Sequence, residues 1–129
     1  MIAADTSTWI AFFHGAPGRD VELLDRALGD RQVLMPPPVL TELLSDPKLP
    51  SDIRATLVEL PLLQIAEGFW ARAGELRAAV LRGRRKARLG DALIAQACVD
   101  NGVALVTRDR DFRAFADAAG LDLVVEAPA

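Results

Sequence analysis

Residues 88–112 read RLGDALIAQACVDNGVALVTRDRDF, and this stretch decides the fold. Its first half is apolar on nearly every helical face, which predicts a helix over residues 88–100 that is buried on most sides. Asn101 and Gly102 are typical of a helix C-cap, and the apolar run 103–106 predicts a short buried strand behind it. Asp91 lies in the first turn of the helix, where a buried carboxylate is costly unless it is paired or holds a cation.

Outward from this stretch, short apolar segments alternate with helical ones along the whole chain. Strands are expected at residues 1–4, 32–35, 61–65, 103–106 and 121–125, and the tail 126–129 is expected to fray. The strands show no clear polar alternation, which is typical of a parallel sheet covered by helices on both faces. The sequence therefore predicts one α/β domain over residues 1–129, with three α/β/α layers and a mostly parallel central sheet.

The composition limits the class of protein. A chain of 129 residues with 51% hydrophobic residues can build the core of one domain, and its net charge of −3 makes no overall case for a nucleic-acid partner. The single cysteine, Cys98, excludes an internal disulfide and suits a reducing compartment. The chain has no signal-peptide pattern and no apolar run near the roughly 20 residues of a membrane helix. We therefore expect a cytoplasmic protein without membrane contact.

Acidic side chains are expected to meet at one edge of the predicted sheet. Asp5 follows the first strand, and Asp109 and Asp111 follow the fourth, so these acids share the carboxyl edge where sites in parallel sheets form. The helix 88–100 runs antiparallel to the fourth strand, which brings Asp91 to the same edge. Glu42, in the second turn of the helix after the second strand, also lies near it.

Such a cluster repels itself, at about a few kcal/mol for each close pair of carboxylates. Protonation or a divalent cation relieves that repulsion. Oxygen ligands select hard cations, which favours Mg²⁺ or Mn²⁺ over zinc. Such ions can activate water for in-line attack on a phosphodiester. We expect Asp5, Glu42, Asp91 and Asp109 to be the metal ligands, with Asp111 assisting.

The first acid has a competing structural role. Asp5 suits the N-cap of the helix that follows it, but Thr6 or Ser7 can cap that helix instead and leave Asp5 to bind a metal. In that arrangement, the hydroxyls of Thr6 and Ser7 orient a carboxylate or a metal-bound water. Thr107 either hydrogen-bonds within the acidic cluster or simply ends its strand.

The other acids also have ordinary interpretations. Glu42 by itself is compatible with a surface glutamate, and Asp91 with a favourable contact to the helix dipole. One of Asp109 and Asp111 can cap the next helix while the other binds the metal. Asp109 is nearer the strand end and is favoured as the direct ligand.

Four motifs, taken in order, resemble those of PIN-domain nucleases, and specifically of the VapC-type ribonuclease toxins of toxin–antitoxin pairs. They are IAADTSTWI with Asp5, PPPVLTELL with Glu42, LGDALIAQA with Asp91, and LVTRDRDF with Asp109 and Asp111. The resemblance spans residues 1–125. It implies a Mg²⁺- or Mn²⁺-dependent endoribonuclease that leaves 5′-phosphate and 3′-hydroxyl ends. It also implies a cognate antitoxin as partner and a homodimer.

In a nuclease, the basic segment before the central helix acquires a role. No acid stands between Glu75 and Asp91. Five basic residues in this interval are expected to contact RNA phosphates, for which arginine is well suited, although a charge run is more often a solvated turn. They are Arg82, Arg84, Arg85, Lys86 and Arg88.

Two other functions remain open from the residues alone. A phosphatase of the haloacid-dehalogenase type also places an aspartate after its first strand, but it needs a second aspartate where this chain has Ser7. A catalytically silent RNA- or protein-binding domain has no need to keep every acid of the cluster. Metal-dependent RNA cleavage separates these possibilities.

Overall fold

The structure, a computed structural model, describes residues 1–125. Its elements follow in the order β1 (Ile2–Ala4), α1 (Thr6–Phe13), α2 (Arg19–Gly29), α3 (Pro37–Leu44), α4 (Ser51–Glu59), α5 (Phe69–Arg82), α6 (Leu89–Asn101), β2 (Ala104–Thr107), α7 (Phe112–Ala119) and β3 (Leu123–Val125). Among these residues, no helix has the length and apolar content that crossing a membrane requires. The fraying expected for 126–129 concerns a segment outside the described residues.

The central sheet is parallel, as the sequence predicts. Its strand order is β1-β2-β3, with Ala4 opposite Val106 and Thr107 opposite Val125. Both strand faces are covered, since Ala3, Ala4 and Leu105 have no solvent exposure. This two-sided burial explains why the strands read as uniformly apolar runs.

The strands expected at 32–35 and 61–65 are present only as isolated parallel bridges, so the prediction of full strands was wrong there. Ile2 pairs with Val33, and Met35 pairs with Leu62. Two prolines explain the short pairing. Pro36 follows Met35 directly, and Pro61 can only accept a hydrogen bond, which it does from the Met35 amide at 2.8 Å.

Helices lie on both sides of the sheet, which confirms the three-layer α/β/α arrangement. Helices α1 and α2 pack against each other and against β1 and β2, while α5, α6 and α7 form a second packed group that reaches β2 and β3. Helix α6 is buried along most of its length, as predicted. Its Cys98 is fully buried, and burial raises the pKa of the thiol to about 12, so Cys98 is a neutral core residue.

Candidate functional site

The carboxyl edge of the sheet brings the ends of β1 and β2 side by side. The amide of Asp5 donates to the Val106 carbonyl at 3.1 Å, so the residue after β1 lies against the end of β2. Thr107 ends β2, and its hydroxyl accepts the Asp109 amide hydrogen at 2.9 Å. Asp5 and Asp109 therefore follow neighbouring strands and lie at one edge, as the topology predicts.

Asp5 caps α1, which is one of the two roles that the sequence leaves open for it. Its Oδ1 accepts the Thr8 amide hydrogen at 3.1 Å, so Asp5 is the N-cap of α1, and the expectation that Thr6 or Ser7 would cap this helix was wrong. The hydroxyl of Ser7 lies 2.8 Å from both carboxylate oxygens of Asp5. The capping bond occupies Oδ1 of Asp5, and the carboxylate remains at the carboxyl edge of the sheet.

The surroundings of Asp5 disfavour its charged form. The side chain is only 4% exposed. Burial raises the pKa of Asp5, and the negative charge of Asp109 adds to the rise, while hydrogen bonds from Ser7, Thr8 and Thr107 oppose it. Thr107 therefore acts on the acidic cluster and does more than end its strand.

Asp91 is brought to the same edge by the N-terminal turn of α6. Burial, and then the charge of Asp109, raise its pKa to about 6, with smaller contributions from Asp5 and Glu42. The positive charge of Arg88 acts in the opposite direction. The negative charges of Asp109, Asp5 and Glu42, which come from three other segments, thus all act on Asp91.

One oxygen of Asp91 is buried without a hydrogen bond. Within residues 1–125, buried side-chain polar atoms without a hydrogen-bond partner are Asp91 Oδ2 and Trp9 Nε1. A buried carboxylate oxygen in this state costs free energy unless a proton or a cation satisfies it. The unpaired Oδ2 of Asp91 is therefore a suitable ligand for a cation.

Glu42 reaches the cluster from α3, which packs on α6. Its side chain is exposed, and its Oε1 accepts a hydrogen bond from the Thr6 hydroxyl at 2.9 Å. A Cβ placed on Gly90 would lie 3.9 Å from the Glu42 carboxylate, so Glu42 stands directly beside the turn that carries Asp91. Thr6 thus orients Glu42, while Ser7 orients Asp5.

Asp109 and Asp111 have different surroundings. Asp109 Oδ1 accepts the Asp111 amide hydrogen at 2.9 Å, and Asp109 acts on the pKa values of both Asp5 and Asp91. Asp111 instead directs Oδ2 towards Lys86 Nζ at 3.5 Å, and as N-cap of α7 it makes no side-chain capping bond. The geometry therefore associates Asp109, rather than Asp111, with the cluster.

The donor set suits a hard divalent cation, because every candidate ligand is a carboxylate oxygen. In the described part of the chain, however, no group of three or more acidic, histidine or cysteine side chains is arranged to hold a metal ion. The residues fit such an ion by the chemistry of their oxygen donors.

The basic segment divides into paired and unpaired residues. Arg85 forms an ion pair with Asp117 at 2.7 Å, and Lys86 contacts Asp111. The other predicted RNA-binding residues form no ion pair among residues 1–125: Arg82, Arg84 and Arg88. Arg84 adopts a left-handed backbone conformation, with φ of 58°. Arg88 directly precedes α6 and is close enough to affect Asp91.

Sequence reasoning missed a buried ion pair next to the cluster. Asp20, in the first turn of α2, has no solvent exposure and accepts two hydrogen bonds from the guanidinium of Arg108. These residues stand 88 positions apart. In the sequence, Asp20 is an ordinary acid in the first turn of a helix, and Arg108 is one of several charged residues in TRDRD. No local pattern therefore predicts that the two side chains form a pair.

Comparison with known proteins gives consistent results at the levels of family, sequence and fold. The family model described as PIN domain matches residues 2–118. VapC ribonuclease Mb1587 of Mycobacterium bovis and ribonuclease VapC11 of Mycobacterium tuberculosis are each 30% identical to the chain over 119 residues. The matched regions cover 87% of this chain and 89% of each relative.

Two solved structures illustrate the similarity of fold. VapBC2 from Rickettsia felis bound to a promoter DNA fragment has a TM-score of 0.74 at 21% identity, over 97% of this chain and 98% of that chain. DNA-bound VapBC from Salmonella typhimurium has a TM-score of 0.70 at 21% identity, over 97% and 98%. At such identities the likeness concerns the fold.

Proposed function

The chain belongs to the PIN domain family, and on that premise we propose that it is the ribonuclease toxin of a toxin–antitoxin pair. The relatives that it matches over most of their length carry the names VapC ribonuclease and ribonuclease VapC11. The proposed reaction is endonucleolytic hydrolysis of RNA phosphodiester bonds. We also propose that residues 1–129 form one nuclease domain, which is supported by a family match from residue 2 to residue 118.

One observation supports this proposal most directly: Asp91, whose pKa is raised by burial and by the charges of Asp109, Asp5 and Glu42, has a buried oxygen without a hydrogen-bond partner in the described residues. We propose Asp5, Glu42, Asp91 and Asp109 as direct ligands of the catalytic metal. Asp111 assists from outside this group through its contact with Lys86, which supports the turn that follows β2.

The proposed cofactor is Mg²⁺ or Mn²⁺. Bound at such a site, a divalent cation activates water and stabilises the leaving oxygen of a phosphodiester, without a 2′-hydroxyl nucleophile. Hydroxyl groups of the chain orient the proposed ligands: the Ser7 hydroxyl donates its one hydrogen to the Asp5 carboxylate, whose two oxygens are each 2.8 Å away, and the Thr6 hydroxyl donates to Oε1 of Glu42. At acidic pH, Asp91 holds a proton that must leave before both of its oxygens can serve as ligands.

The segment between α5 and α6 is proposed to bind the RNA backbone. Arg82, Arg84 and Arg88 are available for phosphate contacts, since they form no ion pair among the first 125 residues. Arg85 and Lys86 contribute positive charge, but their contacts with α7 already occupy them in part. Arginine side chains beside an acidic site can hold the phosphates on either side of the scissile bond.

The proposed partners are a cognate antitoxin protein and a second copy of the chain. The similar solved structures are VapBC complexes bound to DNA, which supports an antitoxin partner here. The homodimer rests on the family resemblance. The proposed location is the cytoplasm, where the RNA substrate is present.

The test is cleavage of total cellular RNA by the purified protein with Mg²⁺, with Mn²⁺ and with EDTA. We expect discrete products with either metal, none with EDTA, and none with Asp91→Asn. Asp25→Asn on the exposed face of α2 is the matched control, and it should cleave like the wild type. Cleavage by Asp91→Asn at the wild-type rate would contradict the site.

A preparation without activity needs one further measurement. A gel that reveals a second small chain would indicate a co-purified antitoxin, and removing that chain under mild denaturation should restore cleavage. Absence of cleavage by a preparation that contains only this chain would instead favour the catalytically silent RNA- or protein-binding domain. The two results therefore separate an inhibited enzyme from an inactive fold.

A further inference from the structure

Asp20 lies outside the acidic cluster, yet it connects the segments that carry two of its members. Its Oδ2 accepts hydrogen bonds from Arg108 Nε at 2.8 Å and from the Thr8 hydroxyl at 2.9 Å, and its Oδ1 accepts one from Arg108 Nη2 at 3.0 Å. Arg108 Nη2 also donates to the Pro17 carbonyl at 3.1 Å. Asp20 has no solvent exposure, whereas the Arg108 side chain of this bidentate pair is 26% exposed.

Thr8 and Arg108, which donate hydrogen bonds to Asp20, are each connected directly to a carboxylate of the cluster. Thr8 donates its hydroxyl hydrogen to Asp20 and its amide hydrogen to Asp5 Oδ1 at 3.1 Å. Arg108 directly precedes Asp109 in the chain, in the turn that follows β2. The Asp20 carboxylate therefore joins the first turn of α1, which follows β1, to the turn that follows β2.

The backbone around the pair leaves room for it. Gly18 has a φ of 151°, a conformation that side chains rarely adopt. A Cβ at this position would come within 2.5 Å of Asp20 Oδ1 and 2.8 Å of Arg108 Nη2. The close approach of chain and ion pair thus depends on glycine.

Stability alone is a weak explanation for this arrangement. The cost of removing both charges from water offsets much of their attraction, so a buried pair adds little net stability compared with apolar packing. Its geometry, however, is strongly directional, because a guanidinium binds a carboxylate through two parallel hydrogen bonds. Such a contact can keep Asp5 and Asp109 together despite the mutual repulsion of the cluster.

We propose that Asp20 and Arg108 are positioning residues, which hold the segments bearing Asp5 and Asp109 in the arrangement required to bind a shared divalent cation. This inference rests on the proposed metal-dependent function. Neither residue touches substrate or metal in this scheme. Partners that orient metal ligands typically change metal affinity or activity by about 10- to 100-fold when they are lost.

The first test compares Asp20→Asn with Asp100→Asn. Asp100 forms the ion pair of α5 and α6 with Arg72 at 2.6 Å, and it lies nine residues after Asp91 on α6, about 13 Å along the helix axis. Both substitutions weaken a partly or fully buried pair. Mn²⁺ binding by the EDTA-stripped protein, followed by electron paramagnetic resonance of the unbound ion, measures the site without RNA.

We expect Asp20→Asn to weaken Mn²⁺ binding by about 10-fold or more. Asp100→Asn should bind within about 2-fold of the wild type, even if urea unfolding shows a similar loss of stability. Equal Mn²⁺ affinity in the two variants would overturn the positioning role. If the wild type cleaves RNA and binds Mn²⁺ while Asp20→Asn does both equally well, only this inference fails. If the wild type does neither, the proposed function fails as well.

A second pair of variants decides the question if Asp20→Asn does not fold. Thr8→Val keeps the shape of the side chain and the amide contact to Asp5 but removes the bond to Asp20, whereas Thr8→Ser keeps the hydroxyl. We expect Thr8→Val to lower Mn²⁺ affinity and kcat severalfold, and Thr8→Ser to retain both. Equal loss in the two variants would overturn the proposal, because it would reflect packing rather than the hydrogen bond.

Discussion

Replacing Asp91 with asparagine should make the metal-free protein less sensitive to alkaline pH. The pKa of Asp91 is about 6 in the folded protein, against an ordinary value of 3.8, because of burial and then the charge of Asp109. One pKa unit corresponds to about 1.4 kcal/mol, so the shift implies about 3 kcal/mol. Since the side chain is partly exposed, solvent screening reduces the expected effect to about 2 kcal/mol.

The sign of the effect follows from which state binds the proton more tightly. A carboxyl whose pKa is raised on folding favours the folded state when it is protonated. That contribution is fully present below about pH 4, and it is lost as the pH rises through about 6. The wild type should therefore lose about 2 kcal/mol relative to Asp91→Asn between pH 4 and pH 8.

Urea unfolding in EDTA, followed by the fluorescence of buried Trp9, measures this difference. With a urea dependence of about 2 kcal/mol per molar, the midpoint of the wild type should fall by about 1 M relative to the variant across this range. The readout is how much the free energy of unfolding of each protein changes with pH. The absolute stabilities are not the readout, because the buried amide of asparagine adds a cost that does not vary with pH.

Asp25→Asn is the matched control, since it removes one negative charge from the exposed side of α2. It should follow the pH dependence of the wild type. If the free energies of unfolding of the wild type and Asp91→Asn change equally with pH, the raised pKa assigned to the partly buried Asp91 is refuted.

Three further predictions follow from the same site. Mg²⁺ at 100 times its dissociation constant should raise the free energy of unfolding of the wild type at pH 7.5 by about 3 kcal/mol. Asp91→Asn should gain less than half of this in the same urea titration. Burial raises the pKa of Asp20, but hydrogen bonds from Arg108 and Thr8 outweigh it and lower the pKa below its ordinary value of 3.8. The pair therefore stabilises the fold above that ordinary value, and its contribution is lost as the pH falls through the lowered pKa. Asp20→Asn should cost about 3 kcal/mol at pH 7, and this cost should shrink as the solution is acidified below the ordinary pKa, by the same unfolding assay. Arg84→Ala and Arg88→Ala should each lower the salt dependence of RNA binding, measured by fluorescence anisotropy, by about 0.7 in the slope of log K against log salt; an unchanged slope would remove that residue from the interface.

The positions of α6 and of the acid-bearing strands were predictable because they depend on short-range patterns. Apolar residues on nearly every face of 88–100, followed by the apolar run 103–106, indicated a buried helix and then a buried strand, which are α6 and β2. A helix that leads through a short turn into a parallel strand runs antiparallel to that strand, so the helix begins at the carboxyl edge of the sheet. Asp91, in the first turn of the helix, could therefore be predicted to lie near Asp5. The two bridged segments were harder to predict, because strand length depends on the neighbours as well as on the residues themselves.

The roles of individual acids depended on contacts that local sequence does not record. Asp109 and Asp111 are two residues apart and carry the same kind of side chain, but Asp109 acts on the pKa values of Asp5 and Asp91, whereas Asp111 lies beside Lys86. The sequence left open whether Asp5 caps α1 or faces the cluster, and the structure shows that it caps α1 through Oδ1.

The layers and the parallel sheet could be predicted from the residues alone, because apolar patterns and chain connectivity act over a few residues at a time. The raised pKa of Asp91 and the hydrogen bonds between Asp20 and Arg108, 88 positions apart, depend instead on the packed structure. Both depend on which distant side chains exclude water and which direction each one faces. Those quantities are set when the chain has folded, since desolvation and hydrogen-bond geometry are properties of the packed neighbours.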